Sequence, residues 1–435
     1  MPEPTPAPEP AAPPSTPLLL PRDGVPPVVT TGAALDEVVE RFAAGSGPVA
    51  VDAERASGYR YSQRAYLVQL RRRGAGTALI DPIACPDLSA LGEALSGVEW
   101  VLHAANQDLA CLAEVGLVPS ALFDTELGGR LAGFERVGLG AMVSNVLGLA
   151  LEKGHSAADW STRPLPESWL VYAALDVEVL VELRDAIEAE LAAQGKLAWA
   201  HEEFEAVRLA APAPPRVDPW RRTSGRHRRR SRRQLAAVRA LWEVRDGMAR
   251  RRDIAPGRIL PDSAIVAAVT RAPASPAELL ELPVFGGRST RKHVNTWHAA
   301  LVSARTLPDD ALPLPVAGGD APPPANRWAE RDPVAARRLA RVRAVVADLS
   351  EQLQVPAENL VQPDAVRRLA WQPPTPPDDV EQVRAALRAA GARAWQVGLV
   401  ADGLAAALAE PAAEPEPAAV PEPEPEPEPA DPTGA

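Results

Sequence analysis

The sequence predicts an α/β domain built on a mixed sheet, followed by one or two small all-helical bundles. From about residue 25 to 208, short β-branched runs alternate with stretches of helical period, the pattern of strands covered by helices. Beyond residue 233 the period is helical throughout. Proline-rich breaks at 211–215 and 307–325 separate the blocks, and 435 residues exceed what one hydrophobic core holds. The expected boundaries are a disordered Pro-rich tail over 1–24, the α/β domain over 25–208, a Pro/Arg-rich arm over 209–233 and a helical domain over 234–305. A linker over 306–326, a second helical domain over 327–409 and a disordered acidic tail over 410–435 complete the chain.

Within the α/β block, Leu35 to Ala44 has an amphipathic helical period. Val49 to Glu54 and Arg64 to Leu70 read as two strands of a hairpin around Gly58-Tyr59-Arg60. Ala78 to Asp81 is a third strand, Leu88 to Leu95 a helix and Glu99 to His103 another strand. Asn106 is placed to cap the helix that follows. Leu122 to Thr125 is a strand end leading to a helix near Glu126, and Pro166 to Leu183 reads as one long helix.

Composition excludes several classes. No apolar run approaches the ~18 residues that span a bilayer, so no membrane partner is expected. The N-terminus, MPEPTPAPEPAAPPSTP, lacks the basic start of a secretory signal. Cys85 and Cys111 are the only cysteines and form no CxxC pair, which argues against a disulfide framework or thiolate zinc site and fits a cytoplasmic location. The net charge of −11 averages over segments of opposite sign.

Four acids stand where apolar residues are the rule. Asp52 and Glu54 sit two apart on a strand, so their side chains project from one face. Asp108 lies just past a strand end, and Asp176 lies inside an apolar helix one turn after Tyr172. Alone, the first two have the ordinary reading of a solvated strand end and Asp108 that of a helix-dipole partner, whereas Asp176 is flanked by core residues. Buried together, they would repel one another unless a cation neutralised them.

The segments VDAE, HAANQDLACL and YAALD, with LEKGHSAADWSTRPLPESWLVYAALDVEVL between and around them, resemble the DEDD superfamily of 3′–5′ exonucleases. The likeness is to its tyrosine branch, typified by ribonuclease D, and runs from about residue 25 to 205. Val171 occupies the position where the histidine branch carries its histidine, and Trp169 stands where ribonuclease D-like chains commonly have glutamine.

The resemblance implies a ribonuclease H-like α/β exonuclease domain that removes nucleoside 5′-monophosphates from a 3′-hydroxyl end. It also implies two divalent metal ions, Mg²⁺ or Mn²⁺, since all the ligands are oxygens. Asp52 would bridge both ions, Glu54 and Asp176 would complete one site, and Asp108 would support the other. Tyr172 would orient the attacking water. Lys153 would contact a phosphate, whereas Asp124 and Asp159 are expected to be structural. The substrate implied is RNA, tRNA precursors or other structured RNA. The alternatives are a DNA 3′–5′ exonuclease and a catalytically silent RNA-binding scaffold.

The arm Trp220 to Arg233 holds eight arginines and no acid, and residues 221–300 carry 18 Lys and Arg against 6 Asp and Glu. Arg226, Arg228, Arg229, Arg230, Arg232 and Arg233 are therefore candidate phosphate contacts, against the plainer reading of a solvated linker. Trp242, Arg245-Asp246, Pro256-x-x-Ile259-Leu260 and Leu282-Pro-Val-Phe285 resemble the helicase-and-RNase-D C-terminal (HRDC) domain. Residues 359–366 align with 258–265 at an offset of 101, which marks the third block as a diverged HRDC-like bundle. A monomer is expected.

Overall fold

The computed structural model describes residues 15–152, 154–212, 214–225, 231–315 and 322–409. Two compact units divide it, one over residues 1–320 with Gln354–Pro356, the other over the rest.

The first unit opens with β1 (Thr16–Leu18) and β2 (Val28–Val29), then α1 (Gly32–Ala43), β3 (Ser46–Arg55), β4 (Ala65–Arg73) and β5 (Gly76–Ile80). There follow α2 (Ser89–Ala94), β6 (Glu99–Leu102), α3 (Leu109–Ala113), β7 (Ala121–Asp124), α4 (Thr125–Leu131), α5 (Leu139–Leu147) and β8 (Leu149–Leu151). Helices α6 (Glu167–Glu178), α7 (Leu180–Ala193) and α8 (Leu197–Arg208) complete the α/β part.

Six strands form one mixed sheet in the order β2-β5-β4-β3-β6-β7. Strand β3 is central, antiparallel to β4 and parallel to β6, and Val49, Ala50 and Val51 are fully buried in it. Such a strand tolerates acids only at its end, where Asp52 and Glu54 stand. A bulge between Glu54 and Arg55 then breaks the two-residue alternation.

Several expectations are corrected. Thr16–Leu18 form a strand parallel to β8, inside the stretch expected to be a tail. The apolar Leu18 ends the proline tract there and gives the chain something to pair and pack. Asn106 does not cap a helix: a single 3₁₀ turn over Ala105–Gln107 comes first, and α3 starts after Asp108. Asp124 supplies the anchor, accepting from the backbone N–H of Ala104 and Ala105 at 3.0 and 2.8 Å and from those of Glu126 and Leu127. The long helix over 166–183 is two helices with non-helical backbone at Val179. No glycine or proline announces that break; Val179 is fully buried and Glu178 is paired with Arg71, so tertiary packing imposes it.

The helical remainder of this unit is α9 (Arg232–Arg252), α10 (Pro256–Ile259), α11 (Asp262–Arg271), α12 (Pro276–Leu280), α13 (Arg288–Arg291) and α14 (Val294–Thr306). They enclose Trp297, Phe285, Leu241, Ile265 and Trp220 in one core. Buried Arg245 donates from Nη1 to Asp262 at 2.6 Å and to the Leu260 carbonyl at 2.9 Å.

The second unit contains α15 (Trp328–Arg331), α16 (Pro333–Leu353), α17 (Ala357–Leu360), α18 (Pro363–Trp371), α19 (Val380–Ala389) and α20 (Ala394–Ala409). The ends of α9, α10 and the start of α11 recur 101 residues later as the ends of α16, α17 and the start of α18. Asp253 and Gln354, at the same offset, both adopt left-handed backbone with φ 47° and 52°. Buried Leu241, Leu260 and Ile265 are matched by buried Val342, Val361 and Val366. No helix among the described residues is long and apolar enough to cross a membrane.

Candidate active site

Strand β3, the turn before α3, and helix α6 bring the four acids into one cleft of about 480 Å³. Asp52, Glu54 and Asp176 each present a carboxylate oxygen, and these atoms lie within 4.8 Å of one another. Asp108 lines the same cleft, with Tyr172, Arg55 and His103. The four acids and the tyrosine expected from the sequence are thus brought together.

The electrostatics are those of acids crowded together in a buried cleft. Burial first, and then the charges of Asp52, Asp176 and Asp108, push the Glu54 carboxyl up to about 10. Burial and Asp52 push Asp108 up to about 8 against the pull of Arg55. Asp52 and Asp176 are raised as well, burial being the main cause in each. Carboxylates held this way accept a divalent cation readily, because it removes both the repulsion and the desolvation cost. Tyr172 lies one helical turn before Asp176, and burial with the neighbouring acids pushes its phenol up, so it stays protonated at neutral pH.

Residues that motif spacing did not mark complete the site. Gln69 on β4 stands opposite Asp52 in register and donates to its Oδ2 at 2.8 Å. The bulge after Glu54 lets Arg55 line the cleft, where its guanidinium is 3.5 Å from Asp108 Oδ1. His103 Nδ1 is 2.9 Å from Thr125 Oγ1, and burial pushes its imidazole down to about 4, so it is neutral. Gln69 is a cross-strand partner and Arg55 follows a bulge, neither of which single-strand periodicity encodes.

Other signature residues hold the segments around the cleft without lining it. Arg163 donates from Nε and Nη2 to the two oxygens of Asp81 at 2.7 and 2.8 Å, and to the carbonyls of Tyr66, Trp160 and Thr162. It clamps the 160–163 loop onto β4 and β5. Asp159 accepts from the Ser161 backbone and hydroxyl and closes a turn. Trp169 packs on Trp160 and His155, with ring centroids at 5.3 and 5.9 Å, so in this chain the position fills an aromatic cluster.

Lys153 and Arg226, Arg228, Arg229 and Arg230 lie outside the described residues. Arg232 and Arg233, expected to face phosphates, are turned to the chain itself. Arg232 donates to the carbonyls of Asp309 and Leu312, and Arg233 to those of Arg305 and Leu307 and to Asp309 Oδ1. The reason is local: Arg233 meets carbonyls left open at the end of α14, and Arg232 meets those of the 309–312 turn that follows it.

The β3–β4 loop that follows Glu54 packs on α9 and α10. Tyr61 donates to Asp246 at 3.1 Å, the Ser62 N–H to Asp253 at 2.8 Å, and the Ala255 N–H to the Tyr59 carbonyl at 2.9 Å. Arg258 donates to the Gly58 carbonyl at 2.8 Å while its guanidinium lies 3.9 Å from the Tyr59 ring centroid.

Residues 26–192 match the family model of the 3′–5′ exonuclease domain, 234–301 that of the HRDC domain, and 321–408 that of a 3′ to 5′ exonuclease C-terminal domain. Ribonuclease D of Acidiphilium cryptum is 34% identical over 356 residues, which cover 77% of this chain and 88% of that protein. The structure is similar to that of a protein from Bifidobacterium adolescentis, with 38% identity, a TM-score of 0.83, and coverage of 91% of this chain and 99% of the other. It is also similar to Escherichia coli RNase D, an exoribonuclease involved in structured RNA processing, at 28% identity and a TM-score of 0.63, covering 88% and 98% of the two chains. The four gathered acids, the tyrosine beside them and the HRDC domain behind them have a common explanation: the chain belongs to the ribonuclease D family of 3′–5′ exoribonucleases.

Proposed function

We propose that this exoribonuclease holds two divalent ions, Mg²⁺ or Mn²⁺, on Asp52, Glu54, Asp108 and Asp176 and trims the 3′ ends of structured RNA. The observation that supports the reading most is the meeting of three carboxylate oxygens within 4.8 Å in a buried cleft. When bound, the ions would neutralise the phosphate and make water a stronger nucleophile near neutral pH. An all-oxygen donor set fits hard divalent cations.

The remaining roles belong to the side chains. Gln69 holds Asp52 in one orientation through its 2.8 Å hydrogen bond. Protonated Tyr172, beside Asp176 in the cleft, orients the attacking water by hydrogen bonding and takes no proton from it. Arg55 offsets the charge of Asp108 and offers a cation to the phosphate that enters the cleft. Asp124 and Arg163 hold the turns on which these residues stand.

Structured RNA, tRNA precursors among them, is proposed as the substrate because a relative described as processing structured RNA matches nearly the whole chain. The segment boundaries beyond the N-terminal tail, an HRDC-like origin for the last bundle, a monomeric state and a cytoplasmic location belong to the same proposal. The repeated helix boundaries 101 residues apart support the second of these. Incubating the purified protein with matched 3′-labelled RNA and DNA oligonucleotides, with and without Mg²⁺ or Mn²⁺, tests it. Release of labelled 5′-monophosphates from RNA only with metal is expected; equal cleavage of DNA or metal-free cleavage counts against it.

A further inference from the structure

We infer that the N-terminal segment carrying Leu19 and Leu20 lines the pocket that receives the base of the 3′-terminal nucleoside. This rests on the exonuclease reading of the acidic cleft. A second cavity of about 250 Å³ shares Tyr172, Glu152 and Gly154 with that cleft. Ser168, Val171 and Leu175, three and four residues apart on one side of α6, line it, and so do Leu19, Leu20 and His155. Leu19 and Leu20 are 59% and 64% exposed, large apolar side chains held beside a catalytic tyrosine.

The segment is pinned on both sides of the two leucines. Before them, β1 pairs with β8, and the Thr16 N–H donates to the Gly148 carbonyl at 2.8 Å, where left-handed backbone at Gly148 turns α5 into β8. After them, the Arg22 N–H donates to Glu178 at 3.3 Å and its guanidinium pairs with Glu182 at 2.5 Å. Glu178 lies two residues beyond Asp176 on the same helix. The strap therefore crosses from the β8 edge to the end of the helix that carries Tyr172 and Asp176.

Three features point to a terminal base. The cavity is smaller than the roughly 300–1,000 Å³ of pockets that take drug-sized ligands, which suits one nucleobase. Beside Glu152, Ser168 and Tyr172, its three leucines, valine and imidazole offer contact to the flat face of a base. A strand continuing through it would have to pass beneath a strap fastened at both ends. The terminal nucleoside, with nothing beyond its 3′-hydroxyl, is the part of the substrate that needs no exit.

The test uses the full chain carrying Asp52→Asn, which binds RNA without consuming it, and short 5′-fluorescein RNAs ending in adenosine or in an abasic ribose. Removing the terminal base is expected to weaken binding about tenfold, the low end of what one base contact contributes. Adding Leu19→Ser and Leu20→Ser should shrink that penalty to about twofold, while Leu19→Met and Leu20→Met should keep it. Affinity for the abasic RNA should be unchanged throughout. An undiminished penalty in the serine variant, no penalty in the parent, or a methionine variant that behaves like the serine one overturns the inference. Mg²⁺-dependent trimming of the adenosine-ended RNA by the wild-type chain reports separately on the exonuclease reading, so a failed pocket and a failed nuclease are told apart.

Discussion

Gln69 donates a 2.8 Å hydrogen bond to Asp52 from the directly opposed position on β4. Gln69 is completely buried, and its own Oε1 has no protein partner. A buried amide whose carbonyl oxygen is left without a protein partner fits a role in holding the carboxylate. Gln69→Leu should therefore lower kcat/KM about 10–100-fold, the equivalent of one hydrogen bond to a charged group, and raise the metal concentration needed for half activity. Unchanged metal titration would reduce Gln69 to a packing residue.

Tyr172→Phe keeps the ring against Trp160 and His155 and removes only the hydroxyl. Single-turnover cleavage should slow on the order of 10–1000-fold with RNA affinity nearly unaltered. The comparison of rate with affinity decides it, since a structural tyrosine would lower both or neither.

The clustered acids make metal-free stability depend on pH in a defined direction. Their folded-state values lie above the ordinary carboxylate range, at about 10 for Glu54 and about 8 for Asp108. A raised acid is most stable when protonated, so stability contributed below about pH 4 is lost as pH rises through 8 and toward 10. Melting in EDTA should show Tm falling across that window; Mg²⁺ or Asp176→Asn should flatten the fall. A metal-free Tm that is level or rises would contradict the burial of these charges.

The loop after Glu54 leans on α10 through Arg258, which holds the Gly58 carbonyl and the Tyr59 ring. Arg258→Ala should speed amide exchange across 57–64 about tenfold or more while leaving the β3 strand protected. A truncation that removes residues 220–435 would remove this support, so its nuclease activity should drop as well as its RNA affinity. Exchange confined to α10 would show that the loop holds its shape alone.

The clustered acids are legible because metal-binding chemistry would fix their residue type and they sit out of place locally. Asp52 and Glu54 on an apolar strand, and Asp176 inside an apolar helix, are anomalies that any one element displays. Gln69, Arg55 and the strap are different, since their meaning lies in a cross-strand register, a bulge and a pairing between Thr16–Leu18 and Leu149–Leu151 more than a hundred residues apart. Sequence period carries none of those. The arginine-rich arm shows the converse: composition makes Arg232 and Arg233 candidates for phosphate, and carbonyls at the end of α14 and in the 309–312 turn after it hold them instead.

The most direct test of the account is a time course of full-length protein on a 5′-labelled structured RNA with a single-stranded 3′ extension, beside the Asp52→Asn chain. With Mg²⁺ or Mn²⁺, wild type should give a ladder shortening one nucleotide at a time from the 3′ end. EDTA should stop it, and Asp52→Asn should fall below about one-thousandth of the wild-type rate while melting at or above the wild-type Tm without metal. Internal cleavage, turnover in EDTA, or wild-type turnover by Asp52→Asn would contradict a metal-dependent exonuclease centred on these acids.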